Sequence, residues 1–238
     1  MSEIHPVIDV TNWVRARDEA MGSKPKVWFR APDERFWLFK YPRPNSGEHW
    51  SEKVAAEIAQ ELALPHAVVE LAVCDGQVGA LCLDFTEGGD IGNLFHANEL
   101  LVELDPDYPT RQNFKLAKHT LDRIFDILDR NNVKTPRSWN GPPGIETSCE
   151  LFVGYLLLDA LIGNVDRHHE NWGVVEFVDL GRTLIELELA PTFDHASSLG
   201  RELSDHQRIY TPRGINLRFP IRGSRLIGRR LAASEPQS

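Results

Sequence analysis

Leu161-Ile162-Gly163-Asn164-Val165-Asp166-Arg167-His168-His169-Glu170-Asn171-Trp172-Gly173 is the stretch whose reading decides the fold. Residues 148–162 before it are almost uniformly apolar and predict a buried helix, whereas 174–178 (VVEFV) predict a strand. A polar cluster held between two apolar elements needs a chemical reason, because burying charge without partners is costly. A second hairpin arm at 184–189 follows, and then Leu189-Ala190-Pro191-Thr192-Phe193-Asp194-His195-Ala196, in which Asp194 comes directly after a buried strand.

Phosphoryl transfer supplies such a reason. It places an aspartate against the attacking hydroxyl and an asparagine five residues later on magnesium, and Asp166 and Asn171 have this spacing. Asp-x4-Asn alone is common by chance, so weight comes from the second carboxylate. Magnesium takes oxygen ligands, usually one or two from the protein with the rest from phosphates and water, and Asn171 with Asp194 across the hairpin would form that pair. Asp194 also reads as an N-cap for a helix at 196–203. A further alternative treats His168, His169, His195 and Asp166 as a hydrolase metal cluster, against which stands the absence of an i, i+4 histidine pair.

Upstream, 27–29 and 36–41 predict a hairpin turning at Ala31-Pro32-Asp33-Glu34. Trp50, Val54, Ile58 and Leu62 predict a helix of about three turns, and 67–73 and 78–85 predict two strands joined at Asp75-Gly76. Lys40 ends the apolar run FWLFK. Nucleotide phosphates and a helix carboxylate would satisfy it there, with Glu52 as partner and Glu57 as the second choice. Gly22, Ser23 and Lys24, just before the first of these strands, would cover phosphates with backbone amides and a lysine charge. Trp28, Trp37 and Trp172 read as core. The glycine-rich stretch after Phe85 marks a lobe boundary, and residues 112–131 predict a helix on the face of Phe114, Ala117, Leu121, Ile124, Phe125 and Leu128.

Composition bounds the function. The 238 residues, 42% of them apolar, are enough for a real core, and a net charge of −9 argues against direct nucleic-acid binding. Residues 201–238 hold eight arginines against three acids, a local balance of +5 that leaves −14 on the first 200. This arginine-rich tail would dock on the acidic body, meet an acidic partner or be solvated. Neither a secretory leader nor an apolar run of membrane-spanning length is seen, so the expectation is a cytoplasmic protein without membrane contact. Cys74, Cys82 and Cys149 are expected to be reduced, buried thiols.

Together, GSKPKVWF, WLFKYP, WSEKVAAEIAQELALP, GNVDRHHENWGVV and LAPTFDHASSLG run in order from about residue 20 to residue 200, and they resemble the HipA-like serine/threonine kinases. The resemblance implies an α+β, protein-kinase-like two-lobed fold in a compact version without the family's amino-terminal subdomain. A small β-rich lobe at 1–86 would sit over a helical lobe at 87–238, with ATP and magnesium between them. By the same resemblance Lys40 would hold the α/β-phosphates and Glu52 would pair with it. Asp166 would be the catalytic aspartate, Asn171 and Asp194 the metal ligands, and the segment at Gly22, Ser23 and Lys24 a phosphate loop. The acceptor would be a protein serine or threonine or the chain itself, and the resemblance leaves room for an antitoxin-like or regulatory protein partner without requiring one. The rival readings are a small-molecule kinase and a nucleotide-binding module without transfer activity.

Overall fold

The computed structural model describes residues 5–18, 25–86, 92–112, 116–179 and 184–201. Its amino-terminal part is a six-stranded sheet in the order β1-β5-β6-β4-β3-β2. The strands are β1 (Val7–Asp9), β2 (Val14–Asp18), β3 (Lys26–Arg30), β4 (Phe36–Lys40), β5 (Val69–Cys74) and β6 (Gln77–Leu83), and α1 (Glu48–Glu61) lies between β4 and β5 in sequence. The order β3-β4-α1-β5-β6 is the one the sequence predicts, whereas β1 and β2 are additional. Asp75 and Gly76 both take positive φ, 49° and 78°, as a two-residue hairpin turn requires.

Alternation along β4 sends its side chains to two different environments. Trp37 and Phe39 point to one face, where Phe29, Leu81, Ala72 and Val10 close a core. Leu38 and Lys40 therefore point to the other, which packs Ala80, Cys82 and Val69 against Ala56 of α1. The face that α1 buries differs from the expected one. Val54 and Leu62 are exposed, while Ala55, Ala56 and Ala59 are buried together with Glu48, Ser51 and Glu52. Small alanines let the helix lie close to the sheet, while the i, i+4 apolar row is split, with Val54 and Leu62 outward and Trp50 and Ile58 half-buried, Ile58 against the helical core. Ala55 and Ala59 belong to the core of the second half of the chain, so this one helix serves both cores.

That second core is helical. It is built from α2 (Ala97–Leu104), α3 (Leu121–Arg130) and α4 (Ser148–Ile162), with Leu101, Ile127, Leu128, Leu151, Phe152 and Tyr155 at its centre. The helix expected over 112–131 begins only at Leu121; residues 116–120 are turn and extended chain, and Phe114 lies outside the described residues. Thr147 and Glu150 form a capping box at the start of α4, and Gly163, at φ 65°, ends it in the left-handed conformation. Three strands, β7 (Asn93–His96), β8 (Gly173–Asp179) and β9 (Leu184–Leu189), form an antiparallel sheet beside this core. The buried Tyr155 hydroxyl donates to Ala190 O at 3.0 Å and ties α4 to the end of β9. Among the described residues no helix is long and apolar enough to cross a membrane. All three cysteines are free, but Cys149 is only half-buried.

Where β8 starts, the backbone of β7 runs unusually close. A Cβ on Gly173 would lie 2.2 Å from Phe95 O, an atom that cannot swing aside. Gly173→Ala is accordingly expected to destabilise the chain by about 1–3 kcal/mol, the usual scale of overpacking, measured as a shift in urea unfolding at unchanged slope.

Candidate active site

Lys40, at the end of β4, leaves the sheet on the side covered by α1. Its Nζ donates to Glu52 Oε1 at 2.6 Å and to Asp194 Oδ1 at 3.3 Å. Glu52 is almost fully buried, with 2% of its side chain exposed, whereas Asp194 keeps 31% and faces a cleft of about 780 Å3. Burial pulls the Lys40 ammonium down, but Asp194 and Glu52 outweigh it and hold the group well above the ordinary lysine value. The Cys82 thiol, from the neighbouring strand β6, lies 3.6 Å from the same Glu52 oxygen, and burial with that carboxylate pushes it strongly up. It is a protonated donor to Glu52, not a nucleophile.

Asp194 takes φ 59°, in the left-handed region that favours glycine. Its neighbours are fixed on both sides. Ala67 N donates to Thr192 O and Thr192 N to Pro65 O, each at 2.9 Å. After it, residues 196–201 form turns and not the helix that an N-cap at Asp194 would have begun. This segment docks on α1. The Ser51 hydroxyl donates to Ser198 O at 2.8 Å, and Arg201 forms a buried ion pair with Glu48, which also holds Arg43 at 3.0 Å. Arg201, first of the arginines after residue 200, is thus docked on the acidic body. The rest of the tail lies outside the described residues.

The loop after α4 brings the other two predicted residues to the same cleft. Asn171 donates its amide nitrogen to Asp166 O at 2.7 Å, which holds the loop closed on itself and turns the amide oxygen to use as an acceptor. Asp166 keeps 42% of its carboxylate exposed, and Ser197 donates to its Oδ2 at 3.2 Å. Behind the loop lies a buried clamp that sequence reasoning missed. The Arg167 guanidinium makes two 2.8 Å bonds to Asp159 of α4, one of 2.6 Å to Asn171 O and one of 3.0 Å to Thr192 Oγ1. One side chain therefore fixes the loop, the helix before it and the strand end that carries Asp194. The signal for it was Asp159 itself, a charge inside an otherwise apolar helix.

Other expectations shift. Glu57 pairs with Lys53 at 2.5 Å, not with Lys40. Trp37 and Trp172 are core, but Trp28 is half-buried on the cleft wall under the Arg17 guanidinium, 5.2 Å from its ring centroid. The histidines do not converge on a metal. His169 is buried against the Tyr108 hydroxyl at 2.9 Å, His195 bonds Thr192 at 2.8 Å, and among the described residues no three His, Cys, Asp or Glu side chains are grouped to hold an ion. Gly22, Ser23 and Lys24 lie outside the described residues.

The α+β architecture thus places a lysine–carboxylate pair and an aspartate–asparagine loop on one cleft. In sequence the chain is similar to the serine/threonine-protein kinase CtkA of Helicobacter pylori, at 24% identity over 215 residues that cover 84% of this chain. The chain spans 58% of that relative's length. The crystal structure of the Helicobacter pylori proinflammatory kinase CtkA superposes with a TM-score of 0.65 at 22% identity, covering 87% of this chain and 66% of that one, so the fold is shared. A chain from the complex of Shewanella oneidensis HipA, HipB and operator DNA is more distant, with a TM-score of 0.48 at 16% identity over 77% of this chain and 44% of that one. No family model matches the chain.

The buried charges give rise to two expected outcomes. Lys40→Met leaves Glu52 buried without its ammonium and should cost about 3–5 kcal/mol in urea unfolding, whereas Lys40→Met combined with Glu52→Gln should recover much of that loss. The second concerns acid. Burial holds His169 and His119 down to about 4, and Trp172 Nε1 donates at 3.0 Å to His119 Nε2, a bond only the neutral ring accepts. The unfolded chain binds these protons near the ordinary histidine value of about 6.5, so stability is full above it and falls as pH drops toward 4. Urea midpoints should decline between pH 7 and pH 5, a window in which ordinary carboxylates stay ionised, and His169→Gln should flatten that decline.

Proposed function

We propose that the chain is an ATP- and magnesium-dependent phosphotransferase of the HipA-like kind, acting on a serine or threonine hydroxyl of a protein. The observation that carries this reading is the Lys40, Glu52 and Asp194 triangle, at 2.6 and 3.3 Å, on the wall of a cleft that also holds Asp166 and Asn171. A buried ammonium with two carboxylates is a poor device for stability alone, since apolar side chains of similar size would do as well. As a phosphate site it has a use. The division into a β-rich lobe at 1–86 and a helical lobe at 87–238 belongs to the same reading.

In this reading Lys40 is kept charged by Glu52 and presents its ammonium to phosphate oxygens, while Glu52 fixes the direction of the side chain. Asn171 and Asp194 offer a neutral amide oxygen and a carboxylate, a hard oxygen donor set suited to magnesium with phosphates and water as the remaining ligands. Magnesium, when bound there, would neutralise charge on the transferred group. Asp166, partly exposed on the opposite wall, orients the acceptor hydroxyl and takes its proton. Arg167 reaches none of these groups directly except through the backbone of Asn171, so its part is positioning. Support also comes from CtkA, whose fold the chain shares and which is a serine/threonine-protein kinase.

ATP with magnesium should raise the melting temperature by mass action. Asp166→Ala is expected to bind ATP-magnesium within a few-fold of wild type, yet to lose at least roughly a hundredfold in transfer of labelled γ-phosphate, the scale of a lost general base. Absence of any nucleotide-dependent shift in the wild type would refute the reading. Equal transfer by wild type and Asp166→Ala would remove Asp166 from the chemistry.

A further inference from the structure

One hydroxyl already occupies the place that the phosphotransferase reading assigns to an acceptor. The Ser197 hydroxyl donates to Asp166 Oδ2 at 3.2 Å and lines the cleft together with Asp194 and Asn171. Its neighbour Ser198 is not available, because that hydroxyl is buried and donates at 2.7 Å to His195 O. Thr86 also lines the cleft, but its hydroxyl donates to Asp84 at 2.6 Å. Ser197 is thus set apart by which carboxylate it faces, Asp166, whereas Thr86 is bonded to Asp84 and Ser198 to a backbone carbonyl.

A second contact points the same way. Arg201 Nη2 donates to Ser197 Oγ at 2.9 Å, while its Nη1 is engaged with Glu48 of α1. A serine between a carboxylate that can take its proton and a guanidinium that can hold a phosphate has both needs of an acceptor beside it.

We infer that Ser197 is an acceptor for the chain's own kinase activity, in the same molecule, an inference that rests on the phosphotransferase reading above. The Ser197 oxygen forms a bond to the γ-phosphorus of ATP as the bond from that phosphorus to the β-bridging oxygen breaks; the hydroxyl proton passes to Asp166, and ADP leaves. The phosphoserine then carries between one and a half and two negative charges, by the general rule for such groups. Beside it stands Asp166, whose like charge repels it, and Arg201, which is drawn to it. With phosphate in the acceptor place, an external hydroxyl no longer reaches Asp166. The reaction limits itself after one turnover.

The full chain is incubated with ATP and magnesium and followed by intact mass and peptide mapping, and its stabilisation by a non-hydrolysable ATP analogue is read in parallel. Phosphate is expected on Ser197 with a first-order rate constant that does not change on dilution. Ser197→Thr should carry the phosphate on the hydroxyl at the same position, and Ser197→Ala should lose it while the analogue stabilises that variant as it does the wild type. If phosphate appears only elsewhere, and Ser197→Ala takes up as much as wild type, the inference is overturned and the phosphotransferase reading stands. A rate that rises with protein concentration overturns transfer within one molecule. If the analogue binds and nothing is transferred, Ser197 is no acceptor; if it does not bind, the underlying reading falls as well.

Discussion

A lysine ammonium taken out of water must find anions, and much of this structure is arranged around meeting that need for Lys40. The strand delivers it by alternation, since Trp37 and Phe39 must face the core and Lys40 then faces the other way. The helix delivers Glu52 on its alanine face, where small side chains allow the close approach to the sheet. The second half of the chain delivers Asp194 from a left-handed turn held by backbone bonds to residues 65–67. Three parts of the sequence, more than 150 residues apart at the extreme, meet on one nitrogen.

The Arg167 clamp does for the opposite wall what Lys40 does for the first. It is a buried charge, and replacing the pair with apolar groups would by itself be no loss of stability. Its value lies in geometry. A planar guanidinium bonded to α4, to the Asn171 carbonyl and to Thr192 leaves the loop with Asp166 and Asn171 little freedom relative to Asp194. Gly163 allows the chain to turn off α4 directly into that loop.

Much of this was legible in the residues. The polar loop between an apolar helix and a strand, the Asp166 and Asn171 spacing, the Lys40 position and the Asp75-Gly76 turn each carry a local signal, and the folded chain brings Lys40, Glu52, Asp166, Asn171 and Asp194 to one cleft. The buried face of α1 was not legible, because a row of Trp50, Val54, Ile58 and Leu62 outweighs alanines in any count of hydrophobicity, and only the sheet's proximity reverses the choice. Arg167, Arg201 and Glu48 were missed for a related reason. Arg201 and Glu48 are 153 residues apart, and Arg167 meets Asp159 only because the chain turns back at Gly163; in each case a charge reads as solvated until its partner is known. Trp28 reads as core because an acidic chain gives no reason for a base-stacking aromatic, and nothing local marks it as cleft wall.

Helix α1 gives Ala56 to the core beneath the sheet, and Ala55 and Ala59 to the helical core. A cut anywhere between the two halves would strip one of them of its wall. Neither half should therefore be expected to fold as a separate piece, and grafting the amino-terminal sheet onto a foreign helical partner would require re-designing the alanine face along with the interface.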